Sequence, residues 1–241
     1  MKLGRLYGVG LGPGDPELVT LKALRVLRSV AVIAYPAPDS GDSVARGIAA
    51  QWLDRGQPEI AIRFPMRPGP PPRAIYQDAA AQIEAVLRAS DDVAYLCAGD
   101  PLLYGSFAGL LAELDHGVPV AIVPGVTSIT ACAAAAGAVL AQRDETLSIV
   151  PATLPEEELA AALKGAEAAA VVKLGRHFPK LRRVLQRLGM LESAIYVEHA
   201  GWPSQRVAAL AAVDPGAVPY FATALVRRPA AMSGAMSGAS G

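Results

Sequence analysis

The stretch LYGVGLGPGDPELVTLKALRVLRSVAVIAY, residues 6–35, predicts a strand, a loop, a helix and a second strand. Leu6–Val9 and Val30–Tyr35 are short apolar runs of the kind that form buried strands. Between them, after a loop of glycine and proline, leucines recur at helical spacing on one side: Leu21, Leu24 and Leu27. Two strands joined through a helix in this way form a parallel βαβ unit, which favours an α/β fold.

The same alternation of strands and helices continues along the chain. Apolar runs predict further strands at Ile60–Phe64, Val93–Cys97, Val118–Val123, Leu147–Val150, Ala170–Val172, Ala194–Glu198, Val207–Leu210 and Tyr220–Val226. Helical spacing predicts helices through Val44–Trp52, Arg73–Ala89, Phe107–Leu114, the Ala-rich segment from Pro124 to Gly137, Leu159–Leu163 and Phe178–Leu188. We expect Pro36 and Pro38 to stop the second strand, and Thr153 with Glu156 to form a helix capping box.

We divide the chain into two domains and a tail. Residues 1–140 are expected to form an α/β domain with a parallel five-stranded sheet. Residues 141–230 are expected to form a second α/β domain with a mixed sheet, because strands outnumber helices toward its end. Residues 231–241 are small and low in complexity, which predicts a flexible tail.

Charge and hydropathy exclude several classes of protein. Lys and Arg number 22, as do Asp and Glu, so the basic excess that a general nucleic-acid binder needs is missing. No run of about 18 apolar residues is free of charge, Pro or Gly, so no membrane-spanning helix is predicted. No apolar segment of the signal-peptide type precedes Gly8. Cys97 and Cys132 predict neither a disulfide framework nor a metal site, and we expect a cytoplasmic protein.

Three loops follow predicted strands and carry residue types suited to a ligand. The glycines of Gly8–Pro16 allow another molecule to approach the backbone. Ala98–Ser106 contains the carboxylate of Asp100, and Pro124–Ser128 opens a helix with two hydroxyl groups. Ligands bind at the carboxyl ends of strands in open α/β sheets, so we expect the three loops to meet there. Each loop alone also fits an ordinary role, as a tight turn or a helix cap.

The first loop does not match the dinucleotide-binding fingerprint. A GxGxxG pattern beginning at Gly8 requires glycine where Pro13 stands, and one beginning at Gly10 requires glycine where Asp15 stands. The second strand ends at Tyr35 instead of at an acidic residue that would bind a ribose. An NAD site is therefore disfavoured.

The motifs in combination resemble the tetrapyrrole methylase family, whose members use S-adenosyl-L-methionine. The family patterns GxGxGDPELxT, GDPxxYG and PGVTS occur here in order, and the resemblance runs from Leu6 to about Arg228. It implies the two-domain class III methyltransferase fold. Four further segments resemble the branch that methylates precorrin-2 at ring carbon 20: Arg143–Glu145, Val150–Pro155, Lys173–Arg176 and Val197–Ala200.

This resemblance implies an activity and a binding site. The activity is methyl transfer from S-adenosyl-L-methionine to carbon 20 of precorrin-2, giving precorrin-3A in cobalamin (vitamin B12) biosynthesis, by a homodimer that requires no metal. The residues that match donor-binding positions of the family are Pro13, Ala98, Gly99, Asp100, Leu103, Thr127, Ser128, Leu174 and Ala200. Relatives often carry an acidic residue where Ala98 stands, so no carboxylate role is predicted at that position.

Catalysis of this reaction makes modest demands on the protein. A sulfonium methyl is already activated, so positioning is the main requirement and a general base is optional. The candidates for guiding protons are Asp15, Tyr104 and Glu198. The candidates for binding substrate carboxylates are Arg63, Arg67, Arg73, Arg143 and Arg176, most of which fit equally well as solvated surface arginines.

Other functions stay open at this point. The nearest rival is methylation of cobalt-factor II, the metal-bearing substrate of the anaerobic route, because the protein needs no metal ligand in either case. A nucleotide-dependent oxidoreductase is disfavoured by the failed fingerprint. A non-catalytic α/β ligand-binding module is permitted by the fold pattern alone.

Overall fold

A computed structural model describes residues 2–54, 56–65, 67 and 69–228 of the chain. The chain divides into two compact units, Met1–Ala131 and Cys132–Gly241, each containing one five-stranded sheet. The domain boundary between residues 140 and 141 stays a prediction, and the tail predicted at 231–241 lies outside the described residues. No helix within the described ranges is both long enough and apolar enough to cross a membrane.

The sheet of the first unit is entirely parallel, as predicted. Its strands are β1 (Leu6–Gly10), β2 (Val32–Pro38), β3 (Glu59–Phe64), β4 (Val93–Cys97) and β5 (Val120–Val123). They lie in the order β3-β2-β4-β1-β5. The carboxyl ends of β4, β1 and β5 are therefore neighbours, which places the three loops of interest side by side.

Helices cover both faces of this sheet. They are α1 (Leu21–Ser29), α2 (Val44–Ala49), α3 (Arg73–Arg88) and α4 (Phe107–Leu111), and α5 (Ser128–Ala136) spans the division between the units. Val26 and Ile48 pack with Val9 on one face, and Ile83 packs with Phe107 on the other. The predicted inward stripe of α1 is wrong at its first residue, because Leu21 is 78% exposed; Ala23, Val26 and Leu27 are the buried residues.

The sheet of the second unit is mixed, which confirms that prediction as well. Its strands are β6 (Leu147–Pro151), β7 (Ala168–Val172), β8 (Ile195–Glu198), β9 (Arg206–Ala209) and β10 (Ala222–Arg227). Their order is β6-β7-β10-β8-β9, in which only the first pair is parallel. The helices α6 (Glu156–Gly165) and α7 (Phe178–Arg187) bury Leu159 and Leu185 against Tyr196 of β8.

Proline does not stop β2, contrary to the prediction. Pro36 and Pro38 continue the strand and lie opposite Ile62 and Phe64 of β3. Their positions alternate with those whose amides face β3, so the missing N–H groups face the β4 side. Pairing with β4 has already ended at Ala34, so neither proline removes a ladder hydrogen bond.

The capping box predicted at Thr153 is also wrong. Helix α6 begins at Glu156, and the residue before it is Pro155, which makes no side-chain cap hydrogen bond. Glu156, Glu157 and Glu158 fill the first turn, where acidic residues favour the exposed N–H groups.

Candidate functional site

The loops after β1, β4 and β5 meet through backbone atoms at three glycines. Gly12 and Gly99 form an antiparallel bridge, with Gly99 N 2.7 Å from Gly12 O. A Cβ added to Gly125 would lie 2.2 Å from Gly99 O, and one added to Gly10 would lie 2.5 Å from Gly125 N. These distances are shorter than any side-chain contact allows, so glycine at positions 10 and 125 is what lets the three loops touch.

Asp100 links two of these loops through its carboxylate. One oxygen, Oδ1, accepts from Leu102 N at 2.9 Å, and the other, Oδ2, accepts from Gly125 N at 3.0 Å. Asp100 therefore fixes the loop after β4 to the loop after β5. Each carboxylate oxygen retains a second lone pair with which it can accept from a ligand.

The third loop presents hydroxyl groups at the start of α5. Thr127 Oγ1 accepts from Thr130 N at 3.3 Å and lies 3.1 Å from Thr130 Oγ1. Thr127 thus caps the helix, and Ser128, the first residue of α5, is exposed. The helix cap that was predicted as an alternative role for this loop is therefore formed by Thr127, and the hydroxyl of Ser128 takes no part in it.

The other residues predicted in the first unit lie around this junction. Pro13 is buried, whereas Ala98 and Leu103 are half-buried in the loops that flank it. Tyr104 has a left-handed backbone conformation, with φ of +55°, and is 47% exposed. Asp15 is engaged locally, because its Oδ1 accepts from Glu17 N at 2.8 Å and caps a short turn at Pro16–Leu18.

The residues predicted in the second unit lie at the ends of β7 and β8. Leu174 is fully buried in the core of that unit and Ala200 is 6% exposed. Glu198 accepts from the hydroxyl of buried Tyr196, and its other oxygen lies 4.0 Å from Arg206. Burial and the Glu198 carboxylate together raise the pKa of the Tyr196 hydroxyl far above its usual range.

The predicted substrate arginines differ in what they already contact. Arg73 donates to Glu113 at 2.7 Å, and Arg63 donates to the carbonyls of Pro38 and Gly41. Arg176 donates to His177, whereas Arg67 and Arg143 are exposed. Three of the five lie in the first unit and two in the second.

Sequence reasoning did not place Gly10, Gly125 or His177 among the site residues. Each glycine stood within a quoted motif, so a glycine repeated after neighbouring strands was the available signal. The available signal for His177 was its place just past a predicted strand end in the second domain, and the structure adds its contact with Arg176. Within the described part of the chain, no group of three or more His, Cys, Asp or Glu side chains is placed to hold a metal ion.

Comparison with known proteins assigns the family. Residues 5–213 match the Tetrapyrrole (Corrin/Porphyrin) Methylases. The chain belongs to the tetrapyrrole methylase family. The chain is 38% identical to the precorrin-2 C(20)-methyltransferase of a Sinorhizobium species, with 93% of this chain and 95% of that protein aligned.

Two further proteins, one similar in sequence and one of known structure, resemble the chain over most of its length. It is 44% identical to the cobalamin biosynthesis protein CobIJ of Mycobacterium tuberculosis over 97% of its own length and 48% of that protein. The chain thus spans about half the length of the first curated relatives that it matches. The uroporphyrin-III C-methyl transferase of Thermus thermophilus, solved with S-adenosyl homocysteine, superposes with a TM-score of 0.70 at 28% identity, covering 93% of this chain and 97% of that one.

Proposed function

We propose that this methylase transfers a methyl group from S-adenosyl-L-methionine to ring carbon 20 of precorrin-2 and so forms precorrin-3A. The observation that carries the proposal is the meeting of three family motifs at one sheet edge. It is supported by alignment along nearly the whole chain with a relative that is named for this reaction. We infer from the same relatives a role in cobalamin biosynthesis.

The junction of the three loops suits the donor chemically. A Cβ built on Gly99 meets no atom within 4 Å, so the loop backbone there borders open space. Asp100 offers carboxylate lone pairs to ribose hydroxyls or an ammonium group, and the hydroxyls of Thr127 and Ser128 suit polar atoms of the amino-acid part. We therefore propose that these residues hold the donor, together with Pro13, Ala98, Leu103, Leu174 and Ala200.

The reaction requires the protein to position two molecules more than to activate either. The bond between sulfur and methyl breaks as carbon 20 forms its new bond to the methyl carbon, and sulfur keeps the electron pair as a neutral thioether. The proton on carbon 20 then leaves to solvent or to a side chain. Alignment of the reacting atoms at about 3–3.5 Å supplies most of the acceleration expected of such a site. We propose Asp15, Tyr104 and Glu198 as proton-guiding groups.

Labelled donor tests the proposal directly. The protein is incubated with precorrin-2 and S-adenosylmethionine carrying a ¹³C-methyl group, and the label is located on the ring by NMR. We expect label at carbon 20 alone. Label at other ring carbons, or on uroporphyrinogen III and not on precorrin-2, contradicts the proposal. A parallel reaction with the cobalt-bearing ring measures which of the two substrates has the higher kcat/KM.

We also propose that the protein is a cytoplasmic homodimer, as the family resemblance implies. The chain mass is 24.9 kDa. Sedimentation velocity at micromolar concentration is expected to give a single species of twice that mass, and a monomer throughout the concentration range contradicts the dimer. Cell fractionation tests the location.

A further inference from the structure

Basic side chains gather where β7 ends and α7 begins. Lys173 follows β7 directly, Arg176 and His177 lie in the short turn before α7, and Lys180 lies in the first turn of that helix. Among the residues that the structure describes, no carboxylate lies within 4.0 Å of Arg176 or Lys180. The nearby acid Glu156 is bound to Arg183 at 2.8 Å. The carboxylate of Glu156 acts on Lys180 only from beyond pairing distance, so no described carboxylate pairs directly with the positive charges at the start of α7.

The contact between Arg176 and His177 orients the arginine. Arg176 Nε lies 3.3 Å from His177 Nε2, to which it donates. Burial, with the positive charges of Lys180 and Arg176, holds the pKa of His177 below its usual value. The ring is therefore neutral near pH 7 and its Nε2 can accept, which requires the proton on Nδ1. Arg176 itself is exposed, and both of its Nη groups are left for a planar acceptor.

Lys180 fixes the neighbouring loop in the same region. Its Nζ donates to the carbonyl of Leu154, which lies in the loop between β6 and α6. This bond ties that loop to α7 without neutralising the lysine, because a carbonyl carries no net charge. His177 therefore lies close to two positive charges, those of Lys180 and Arg176, although the net charge of the whole protein is zero.

We propose that Arg176, oriented by His177, binds a peripheral carboxylate of a polycarboxylate tetrapyrrole through its two Nη groups. The proposal rests on the proposed function and deepens it, since it assigns one substrate contact to one pair of residues. A guanidinium group can donate two parallel hydrogen bonds to one carboxylate. This fixed geometry distinguishes binding by Arg176 from general attraction to a positively charged surface. Arg73 is less suited, because the carboxylate of Glu113 already offsets its charge at 2.7 Å, whereas the neutral His177 leaves the charge of Arg176 intact. His177 is a positioning residue here.

Binding of uroporphyrin III, measured by fluorescence quenching, tests this site without requiring turnover. We expect Arg176→Gln to weaken binding about tenfold, as loss of a charged hydrogen-bonding partner implies. Arg176→Lys, which keeps the charge but not the planar fork, is expected to lose less. His177→Phe is expected to weaken binding about threefold, and His177→Gln, whose amide oxygen can accept from Arg176, is expected to restore part of that loss.

The matched control is Arg183→Gln on the same helix. It removes the same charge from a side chain that Glu156 already binds, so the affinity for uroporphyrin III is expected to stay close to that of the wild type. Equal effects of Arg176→Gln and Arg183→Gln would leave only a general charge effect and overturn the proposal. Absence of uroporphyrin III binding to the wild-type protein would also overturn it.

Two further measurements separate this site from the donor site and from the proposed function. Calorimetric affinity for S-adenosylhomocysteine is expected to be unchanged in Arg176→Gln; a loss there assigns Arg176 to the donor carboxylate and refutes the proposal. In turnover with precorrin-2, the same variant is expected to raise KM with little change in kcat. If the wild-type protein binds uroporphyrin III but does not methylate precorrin-2, the proposed function is refuted. The comparison of binding between the variants can still be interpreted in that case.

Discussion

At the scale of single residues, the junction of the three loops depends on glycines, whose lack of a side chain lets the backbones touch. Gly10 and Gly125 contact each other and Gly99 through backbone atoms. Gly99 differs from them, because a Cβ there meets nothing, but its φ of +75° is a conformation that favours glycine. The same residue type therefore serves close packing at two positions and backbone conformation at the third.

Substitution of Gly125 by alanine is expected to destabilise the protein strongly. The new Cβ would lie 2.2 Å from Gly99 O, and that neighbour is backbone that cannot rotate away. We expect the free energy of unfolding to fall by about 3 kcal/mol or more, at the upper end of the range for single substitutions. Urea denaturation followed by circular dichroism measures it. Gly47→Ala in α2 is the control: its Cβ meets no atom within 4 Å, and a gain of about 0.5–1 kcal/mol is expected. A Gly125→Ala protein as stable as the wild type contradicts the close contact.

Asp100→Asn is expected to weaken both the fold and donor binding. The carboxylate now accepts from two backbone N–H groups, those of Leu102 and Gly125. Asparagine has only one acceptor oxygen, so its NH₂ group would face one of these two donors. One of these hydrogen bonds, neither of which is fully buried, would be lost, and we expect the free energy of unfolding to fall by about 1 kcal/mol. The readouts are urea denaturation and the calorimetric affinity for S-adenosylhomocysteine.

Asp214→Asn is the control for that change. Asp214 makes a single comparable bond, from Gly216 N to Oδ1 at 2.9 Å, and asparagine preserves it. We expect its stability to change by less than about 0.5 kcal/mol. Equal stability losses in the two variants would contradict the linking role of Asp100.

At the scale of helices and strands, a cap depends on where the helix begins. Thr20 Oγ1 accepts from Ala23 N at 3.1 Å and caps α1, whereas Thr153 lies outside α6. Thr20→Ala is therefore expected to cost about 1 kcal/mol and Thr153→Ala close to nothing. Urea denaturation of the two variants measures the difference. A larger loss for Thr153 would mean that α6 begins earlier than Glu156.

An ion pair ties α2 to the edge strand β3 and predicts a pH dependence. Arg46 binds Glu59 through two nitrogens, at 2.8 and 2.9 Å, and Tyr35 donates to the same carboxylate. The hydrogen bond from Arg46, followed by that from Tyr35, holds the pKa of Glu59 below its ordinary 4.5. A lowered carboxyl pKa stabilises the fold above that ordinary value, and the contribution is lost as pH falls through the folded pKa.

The corresponding measurement compares wild type with Glu59→Gln across pH. We expect the wild type to be more stable at pH 7 by about 1 kcal/mol or less, since Arg46 is 43% exposed. The difference should shrink as pH falls below about 4.5. A difference independent of pH would mean that the ionised carboxylate contributes nothing.

The elements also show how far sequence patterns reach. Strand and helix order, the parallel sheet and the mixed sheet followed from periodicity, because burial of one face is a local property of the chain. The end of β2 did not, since Pro36 and Pro38 are tolerated only because β4 pairs no further than Ala34. The start of α6 was misplaced because a threonine three residues before a glutamate has the capping pattern wherever the helix actually begins.

At the scale of the whole molecule, binding of the proposed donor is expected to raise the free energy of unfolding. A ligand that binds only the folded state adds about 2.7 kcal/mol at a concentration of 100 Kd. We expect S-adenosylhomocysteine to raise the midpoint of thermal unfolding in a concentration-dependent way and NAD to leave it unchanged. Scanning calorimetry measures both. Stabilisation by NAD alone would contradict the methylase site and favour an oxidoreductase.

The sequence by itself determined the alternation of strands and helices, the two kinds of sheet and the three loops that meet at one edge. These features depend on apolar spacing and on glycine, which are written locally along the chain. Only the tertiary structure decided that Gly10, Gly99 and Gly125 touch, that Glu113 neutralises Arg73, and that Arg176 meets a neutral His177. The physical reason is that packing, pairing and pKa depend on the three-dimensional surroundings of a residue, most of which come from residues distant in sequence.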